Sequence, residues 1–370
     1  GKVYHIFFYF PTLKSHVSRE TFINFLKQFF IDPRIVICFF LFYNISILKT
    51  GGITMKNRNK FLTFLLLASG AAAGTALVNK AIKIMATSKH LLEVSHSLCY
   101  QWRFGKIHYT RTGSGSPLLL IHDFQCSSSS YEWHRLIHAL KEKHTVYTLD
   151  LIGCGRSEKP NLTYTNYFYV QLLRDFIKSE IGHRTDVMVT GESSSFVIMA
   201  CNNDPSLFNR IMLINPSSVQ SCAQTPNKNT KLYKFILDLP ILGTLLYNIA
   251  NSRTIMEKTF TEQYFCNPYS ARSAYVDHYF EAAHLGECPK AVFASLTCNY
   301  TKCNIVNALK KIDNSIYILG GKEEPNMEEI AQEYQQYNSA VEYSLIPKTK
   351  HLPQLESPEK VLDAVKIFFS

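Results

Sequence analysis

The chain has 370 residues, of which 46% are hydrophobic and 18% are charged. This length and composition predict one large domain with an inserted subdomain, or two domains, built on a substantial core. The formal net charge is +10, but the basic residues are spread along the chain without an aromatic-interleaved cluster. The pattern argues against a nucleic-acid partner, and the ten cysteines form no C-x-x-C pair that would indicate a metal site.

Residues 1–54 differ from the rest of the chain, because they are crowded with Phe, Ile, Tyr and Lys and contain no methionine. Thr50-Gly51-Gly52 stands just ahead of Met55, and its codons can contain AGGAGG, a bacterial ribosome-binding sequence. We therefore expect residues 1–54 to be non-native upstream translation or disordered, and the native bacterial protein to start at Met55.

After Met55 a basic start, residues 56–60, precedes the uncharged apolar run Phe61–Val78. This order is typical of a signal peptide or an N-terminal membrane anchor. We favour a retained anchor helix and linker over residues 55–99. The alternative is a signal cleaved near Ala73, which would give a secreted protein. Basic residues flank both ends of the run, so the side of the membrane stays open.

From Tyr100 onward, patterns typical of strands alternate with patterns typical of helices, and this alternation predicts a parallel sheet covered on both faces. A hairpin with its turn near Gly105 comes first, and a continuous apolar strand follows. The predicted elements are a hairpin over 100–109, strands over 118–121 and 145–149, and helices over 131–140 and 166–181.

The run Asp186–Thr190 leads into a turn of small residues and then into the apolar segment Phe196–Cys201. This predicts a strand, a sharp turn and a helix. The turn carries Gly191-x-Ser193-x-Ser195, close to the G-x-S-x-G pattern that exposes a serine hydroxyl at the top of a sheet. A serine-rich turn before a helix is also typical of a simple N-cap, so the pattern alone leaves both interpretations open.

The part from Pro216 to Lys310 has helical character throughout, with aromatic and aliphatic stripes. Two strands and a closing helix complete the predicted elements. They cover residues 315–319, 341–346 and 358–370.

Four motifs stand in order along the chain: His122-x-Phe124, Asp150-x-x-Gly153-x-Gly155-x-Ser157, the serine turn at 191–195, and His351-x-Pro353-x-x-Glu356-x-Pro358. Together they resemble the α/β-hydrolase superfamily, in particular its serine esterase, lipase and peptidase-like members with a helical cap. The resemblance implies an α/β fold with a mostly parallel sheet and helices on both faces. It further implies a core over 100–215 and 311–370, and a cap over 216–310.

The resemblance and triad logic assign Ser193 as nucleophile, His351 as general base and Glu323 as the acid that orients the histidine. Glu324 is the alternative acid, since both follow the strand over 315–319. These roles imply hydrolysis of a carboxylic ester or related acyl bond through an acyl-serine intermediate. The substrate would be a small acyl compound, and no cofactor or metal is implied. The oligomeric state stays open.

The oxyanion hole implied by the resemblance consists of the backbone N–H groups of Phe124 and Ser194. Asp123 replaces the glycine usual in that turn, and we expect its carboxylate to turn away from the pocket or to anchor the loop. Asp123 also motivates an alternative function, a membrane-tethered binding protein with little or no turnover. Lys350 replaces a glycine, and if close it would lower the pKa of His351.

Overall fold

The computed structural model describes residues 57–94 and 97–369. The expectations for residues 1–54 and for a start at Met55 therefore lie outside the described residues. The chain divides into two units between residues 67 and 68. The fold described below belongs to the second unit, and the first helix begins in the first unit and continues into the second.

One sheet of eight strands forms the centre of the fold, in the order β1-β2-β4-β3-β5-β6-β7-β8. β2 runs antiparallel to β1 and β4, and all other neighbours are parallel. This confirms the predicted α/β fold with a mostly parallel sheet. The strands are β1 Leu98–Trp102, β2 Gly105–Thr112, β3 Ser116–Ile121, β4 His144–Leu149, β5 Thr185–Thr190, β6 Phe208–Ile214, β7 Ile316–Gly321 and β8 Glu342–Ile346.

Helices cover both faces of the sheet, which explains why the central strands are apolar on successive residues. Neighbouring residues of β3 point to opposite faces, so that Leu119 and Leu118 are both buried but belong to different cores. The larger core packs the sheet against the helices that follow β4 and β5. The smaller core packs it against Trp133 and the last helix.

Fourteen α-helices occur in the described residues. Shorter 3₁₀ and π turns extend several of them. The helices are α1 Asn57–Thr87, α2 Ile137–Leu140, α3 Asn166–Phe176, α4 Ser194–Asn203, α5 Val219–Cys222, α6 Lys228–Asp238, α7 Leu242–Ala250, α8 Arg253–Thr259, α9 Ser273–His284, α10 Lys290–Thr297, α11 Val306–Leu309, α12 Met327–Tyr337, α13 Pro353–Glu356 and α14 Pro358–Phe368.

The segment between β6 and β7 contains helices α5 to α11, and we call these the inserted helices. Within the part predicted to be helical, the pattern over 231–251 forms two helices, α6 and α7. Pro240 lies in the break, where it has no N–H to continue the hydrogen-bond ladder of α6. Leu239 before it has the extended ψ of 135° that a following proline favours.

Within α1, the segment Leu65–Thr87 is the one single helix among the described residues that is long and apolar enough to cross a membrane. Its 23 residues overlap the predicted anchor run Phe61–Val78, and little of the segment is buried. A signal sequence near the N-terminus can be as long and as apolar as this segment. The helix is therefore weak support for either a membrane anchor or a signal.

Candidate active site

Four residues follow the carboxyl ends of neighbouring strands and meet at one edge of the sheet. Asp123 follows β3, Gly191 follows β5, Glu324 follows β7 and His351 follows β8. In an open parallel sheet this edge is where ligands bind, since the loops there converge above the strands. Together with neighbouring loop residues they line a pocket of about 160 Å³.

The sharp corner between β5 and α4 lies at Gly191, which has a φ of +55°. Ser193 has an ordinary helical backbone, with φ −63° and ψ −18°. Its hydroxyl is buried and makes no hydrogen bond to any described residue. The N–H of Ser194 bonds to the carbonyls of Glu192 and Gly191, so it is not free to bind an oxyanion. The corner is thus two residues before the predicted serine.

The carboxylate of Asp123 occupies the position that the sequence led us to expect for an oxyanion. Its Oδ1 accepts the N–H of Phe124 at 2.7 Å and the N–H of Glu192 at 2.8 Å. Its Oδ2 lies 3.3 Å from Nε2 of His351. Of the two alternatives expected for Asp123, the carboxylate does not turn away from the pocket but bonds to the N–H of Phe124 in its own loop. The converging donor pair is Phe124 with Glu192 rather than Phe124 with Ser194.

Gly191 leaves the space that this carboxylate fills. A Cβ at position 191 would lie 2.1 Å from Oδ1 of Asp123 and 2.4 Å from its Cγ. Real Cβ atoms do not approach other atoms this closely, so any side chain here would displace the carboxylate. The Asp123 side chain, from the loop after β3, therefore occupies the space that a side chain at position 191 would fill.

His351 lies between two carboxylates. Its Nδ1 is 3.1 Å from Oε1 of Glu324, and its Nε2 faces Asp123. Glu323, the acid assigned from the sequence, is exposed, and its backbone N–H bonds to the carbonyl of Thr349. The structure thus places Glu324, the alternative acid, rather than Glu323 beside His351. The ring of His351 also stacks on Tyr264.

The two carboxylates determine the charge state of His351. Burial opposes the imidazolium, but hydrogen bonds and charge from Asp123 and Glu324 raise the pKa of His351 to about 10. Lys350, which would lower the pKa of His351 if close, directs its ammonium to the carbonyl of Glu262. At neutral pH the imidazolium can donate from both ring nitrogens.

Asp123 is held in its ionised form. Burial opposes ionisation, yet the hydrogen bond and charge of His351, with the N–H groups of Glu192 and Phe124, keep the pKa of Asp123 below its ordinary value. The site in its resting form is therefore an aspartate beside an imidazolium, arranged as an ion pair over the strand ends.

The backbone of Asp123 is also fixed at both polar atoms. Its N–H donates to Oε2 of buried Glu132 at 3.1 Å, and Thr190 donates its hydroxyl to the same oxygen at 3.0 Å. Nε2 of His122 accepts the N–H of Leu151, so Nδ1 carries the proton and donates to the carbonyl of Asp123 at 2.6 Å. These bonds hold the carboxylate in one orientation.

Sequence reasoning missed two features of the site, the role of Gly191 and the direction of the Asp123 side chain. The available signal was the occurrence of two residues together: the acid Asp123 where a glycine is usual, and a glycine at position 191.

No group of three or more His, Cys, Asp or Glu residues suited to a metal ion was found in the part of the chain that the structure describes.

Comparison with known proteins places this arrangement in context. A family model described as "Alpha/beta hydrolase family" matches residues 118–364. A soluble epoxide hydrolase of Corynebacterium sp. (strain C12) is 49% identical over 55 residues, which are 15% of this chain and 18% of that protein. The matched part of the chain spans less than a third of the length of each curated relative compared here.

Solved structures with the same fold include an epoxide hydrolase, with a TM-score of 0.60 and 21% identity over 74% of this chain and 98% of that one. A carboxylesterase from Bacillus subtilis has a TM-score of 0.57 and 16% identity over 80% of this chain and 98% of that one. At these identities the two structures support the fold alone. Hydrolase activity rests on the family match.

Proposed function

Because the chain belongs to the alpha/beta hydrolase family, we propose that it is a hydrolase whose nucleophile is the carboxylate of Asp123. One observation carries the proposal: two backbone N–H groups hold Oδ1, while Oδ2 faces the pocket and His351. A carboxylate held in this way is ionised, oriented and fixed, as a nucleophile must be. The substrate class that fits best is a small epoxide.

In the first step, Oδ2 of Asp123 attacks a ring carbon of the epoxide and forms a C–O bond as the ring C–O bond breaks. His351, an imidazolium at neutral pH, donates its Nε2 proton to the ring oxygen that leaves. The products are a neutral hydroxyalkyl ester on Asp123 and a neutral His351. The small pocket, about 160 Å³, suits a substrate of few carbon atoms.

In the second step, His351 becomes the general base. Esterification removes the negative charge of Asp123, and with it part of the cause of the raised pKa of His351. The neutral imidazole takes a proton from water, whose oxygen attacks the ester carbonyl. The N–H groups of Phe124 and Glu192 bind the developing oxyanion. Acyl C–O cleavage then releases the diol oxygen, which takes the second proton of the attacking water from the new carboxyl group, and this restores ionised Asp123 and protonated His351.

The soluble epoxide hydrolase relative supports this substrate class, because its name describes the reaction that the Asp123 site would carry out. The acyl-serine mechanism expected from the sequence has less support. The Ser193 hydroxyl is buried without a hydrogen-bond partner among the described residues, and Nε2 of His351 faces Asp123 instead. Ester cleavage through Ser193 remains the alternative that the experiment below must separate.

A second candidate, the binding protein without turnover, is favoured by one specific observation. The donors that would stabilise an oxyanion are already occupied by a carboxylate of the chain itself. In that case Asp123 and His351 would form a permanent ion pair that closes the site.

Oxygen isotopes test the proposal directly. The full chain is given less than one equivalent of 1,2-epoxypropane in H₂¹⁸O, and both the diol and the peptide containing Asp123 are weighed by mass spectrometry. Attack by Asp123 leaves the first diol without ¹⁸O and puts ¹⁸O into the peptide. His351→Gln removes the acid of the first step and the base of the second, so the ester should form more slowly but persist once formed, seen as a gain of one epoxide mass on the intact chain.

Three outcomes count against the proposal. Label in the diol with none in the peptide means that water attacks the epoxide directly. Labelling of Ser193 by a fluorophosphonate, with turnover of p-nitrophenyl acetate, supports the acyl-serine. The absence of both reactions in a folded chain supports the binding protein. Glu323→Gln is the control variant, because this exposed acid lies beside Glu324 but does not contact His351.

The proposal includes attachment to a membrane through α1, retained as an N-terminal anchor. The apolar segment Leu65–Thr87 supports this. A carbonate wash of membranes from cells that make the full chain tests it, since a cleaved signal would leave the chain soluble with a new N-terminus near Ala73.

A further inference from the structure

The C-terminal half of α1 packs against the inserted helices along one face. Asn79 and Ala86 are buried there, and Ile82 between them is partly buried on the same helix face. The remaining faces of this half are exposed. From Asn79 onward α1 is therefore a docked helix rather than a free linker.

Polar contacts fix this docking. Asn79 donates to the carbonyl of Ile241 at 3.2 Å and accepts from the side chain of Asn248 at 2.9 Å. Just beyond the helix, the backbone N–H groups of Leu91 and Leu92 donate to the carboxylate of Glu281. Because the contacts involve α7 and α9, the direction of α1 is set by the inserted helices.

Large apolar side chains are exposed on α1, on α6 and at the start of α7. Ile241 carries the carbonyl bound by Asn79, and Leu242 follows it directly. Helices α6 and α7 pack closely, since a Cβ on Gly243 would lie 1.9 Å from the carbonyl oxygen of Leu237. A set of these exposed side chains, here called the apolar edge, consists of Leu77, Val78, Leu232, Phe235 and Leu242.

Exposed lysines border the apolar edge. Lys228 and Lys231 lie one turn before Leu232 and Phe235 on α6, and Lys80 lies just after Val78 on α1. Apolar side chains flanked by lysines suit the boundary of a bilayer, where the chains enter the lipid and the ammonium groups meet anionic head groups. Without such a partner, Leu232 and Phe235 are each more than 60% exposed to water.

We propose that the apolar edge of the inserted helices docks on the surface of a lipid bilayer. The apolar run Phe61–Val78 of α1 ends just before Asn79, and this continuity selects a bilayer over other partners. A helix that crosses the membrane and is fixed to α7 at Asn79 brings Leu242 and its neighbours to the lipid boundary. The body is then held in one orientation, with the inserted helices against the membrane.

Tryptophan fluorescence tests this surface. Both native tryptophans, Trp102 and Trp133, are buried in the core and give a constant background. The full chain with Phe235→Trp is reconstituted in vesicles of phosphatidylglycerol and phosphatidylcholine with brominated acyl chains, which quench nearby indole rings. Ile367→Trp is the matched control, because Ile367 is 79% exposed on α14, which packs on a face of the sheet. Leu232→Trp provides a second reporter should the first variant fold poorly.

We expect the brominated lipid to quench at least half of the added emission of Phe235→Trp and Leu232→Trp, and little of that of Ile367→Trp. Equal quenching of all three, or quenching of none, overturns the proposal. So does a blue shift of the Phe235→Trp emission with protein concentration in lipid-free detergent, because the occupant of the edge would then be a second copy of the chain. Leu232→Glu with Phe235→Glu should abolish the quenching of a Leu242→Trp reporter.

Discussion

Replacing Gly191 by alanine tests the geometry on which the site depends. With φ at +55°, alanine at this position costs about 1–2 kcal/mol in backbone strain. Its Cβ would lie 2.1 Å from Oδ1 of Asp123, so the carboxylate must leave both N–H donors. Hydrogen bonds to a charged group contribute about 1.5–3 kcal/mol each, and the total destabilisation is therefore about 4–8 kcal/mol.

Asp123→Ala by itself loses the same two hydrogen bonds, so in that background Gly191→Ala should add only the strain of about 1–2 kcal/mol. The three atoms nearest to the new Cβ all belong to the Asp123 carboxylate, so truncation removes the clash and leaves only the strain. We expect a coupling free energy of about 3–6 kcal/mol between the two substitutions, at or above the top of the usual range for residues in contact. Urea unfolding of the four chains in detergent, followed by tryptophan fluorescence, measures it.

Gly182→Ala is the matched control for strain alone. Gly182 has a φ of +71°, and a Cβ there would meet no atom within 4 Å. Its cost should be about 1–2 kcal/mol and should not change when Asp123→Ala is present. If Gly191→Ala cost no more than Gly182→Ala, or if its effect were additive with Asp123→Ala, the carboxylate would not lie against Gly191 and the reasoning would fail.

Three further predictions follow from the same site. Ser193→Ala should leave the rate of epoxide turnover within about twofold of that of the unsubstituted chain. A loss of about a hundredfold would instead support Ser193 as the nucleophile. Glu324→Gln should lower kcat on the order of 10- to 100-fold, while Glu323→Gln should not. The reverse result would identify Glu323, as assigned from the sequence, as the orienting acid. The pKa of His351 is raised in the folded chain, to about 10, so its contribution to stability is complete below about pH 6.5 and is lost as the pH rises toward 10. Urea titrations from pH 6.5 to 10 should show this fall, and Asp123→Asn should reduce it; a fall of equal size in that variant would contradict the pairing.

The fold could be predicted from the sequence because its signals are local and repeated. β3 and β5 are runs of buried residues bounded by turn residues, and such runs are typical of strands covered on both faces. The break between α6 and α7 could have been predicted as well, from Pro240 within the helical pattern. The four spaced motifs then placed the chain in its superfamily, which the family match confirms.

The site was predicted less accurately because spacing does not fix backbone geometry. The pattern Gly191-x-Ser193-x-Ser195 has the spacing of a nucleophile turn, but the left-handed residue at the corner is the glycine. A shift of two residues on a helix start turns a side chain through about 200°, which removes Ser193 from the pocket. Glu323 and Glu324 could not be separated by sequence, since either can follow β7, and only the loop geometry decides which faces His351.

Asp123 and Gly191 are best understood as one exchange rather than two departures from a pattern. A side chain at the corner of β5 and a carboxylate at Asp123 cannot coexist, because they would occupy the same space. Each alone would be harmful: a bare glycine would leave His351 facing an empty site, and an acid in the oxyanion turn would block a serine at the corner. Together they place the Asp123 carboxylate against Nε2 of His351 and within hydrogen-bond distance of two N–H groups. The group that results is a carboxylate, which attacks saturated carbon and leaves an ester that water can cleave, and this chemistry is the reason to expect an epoxide rather than a carboxylic ester as substrate.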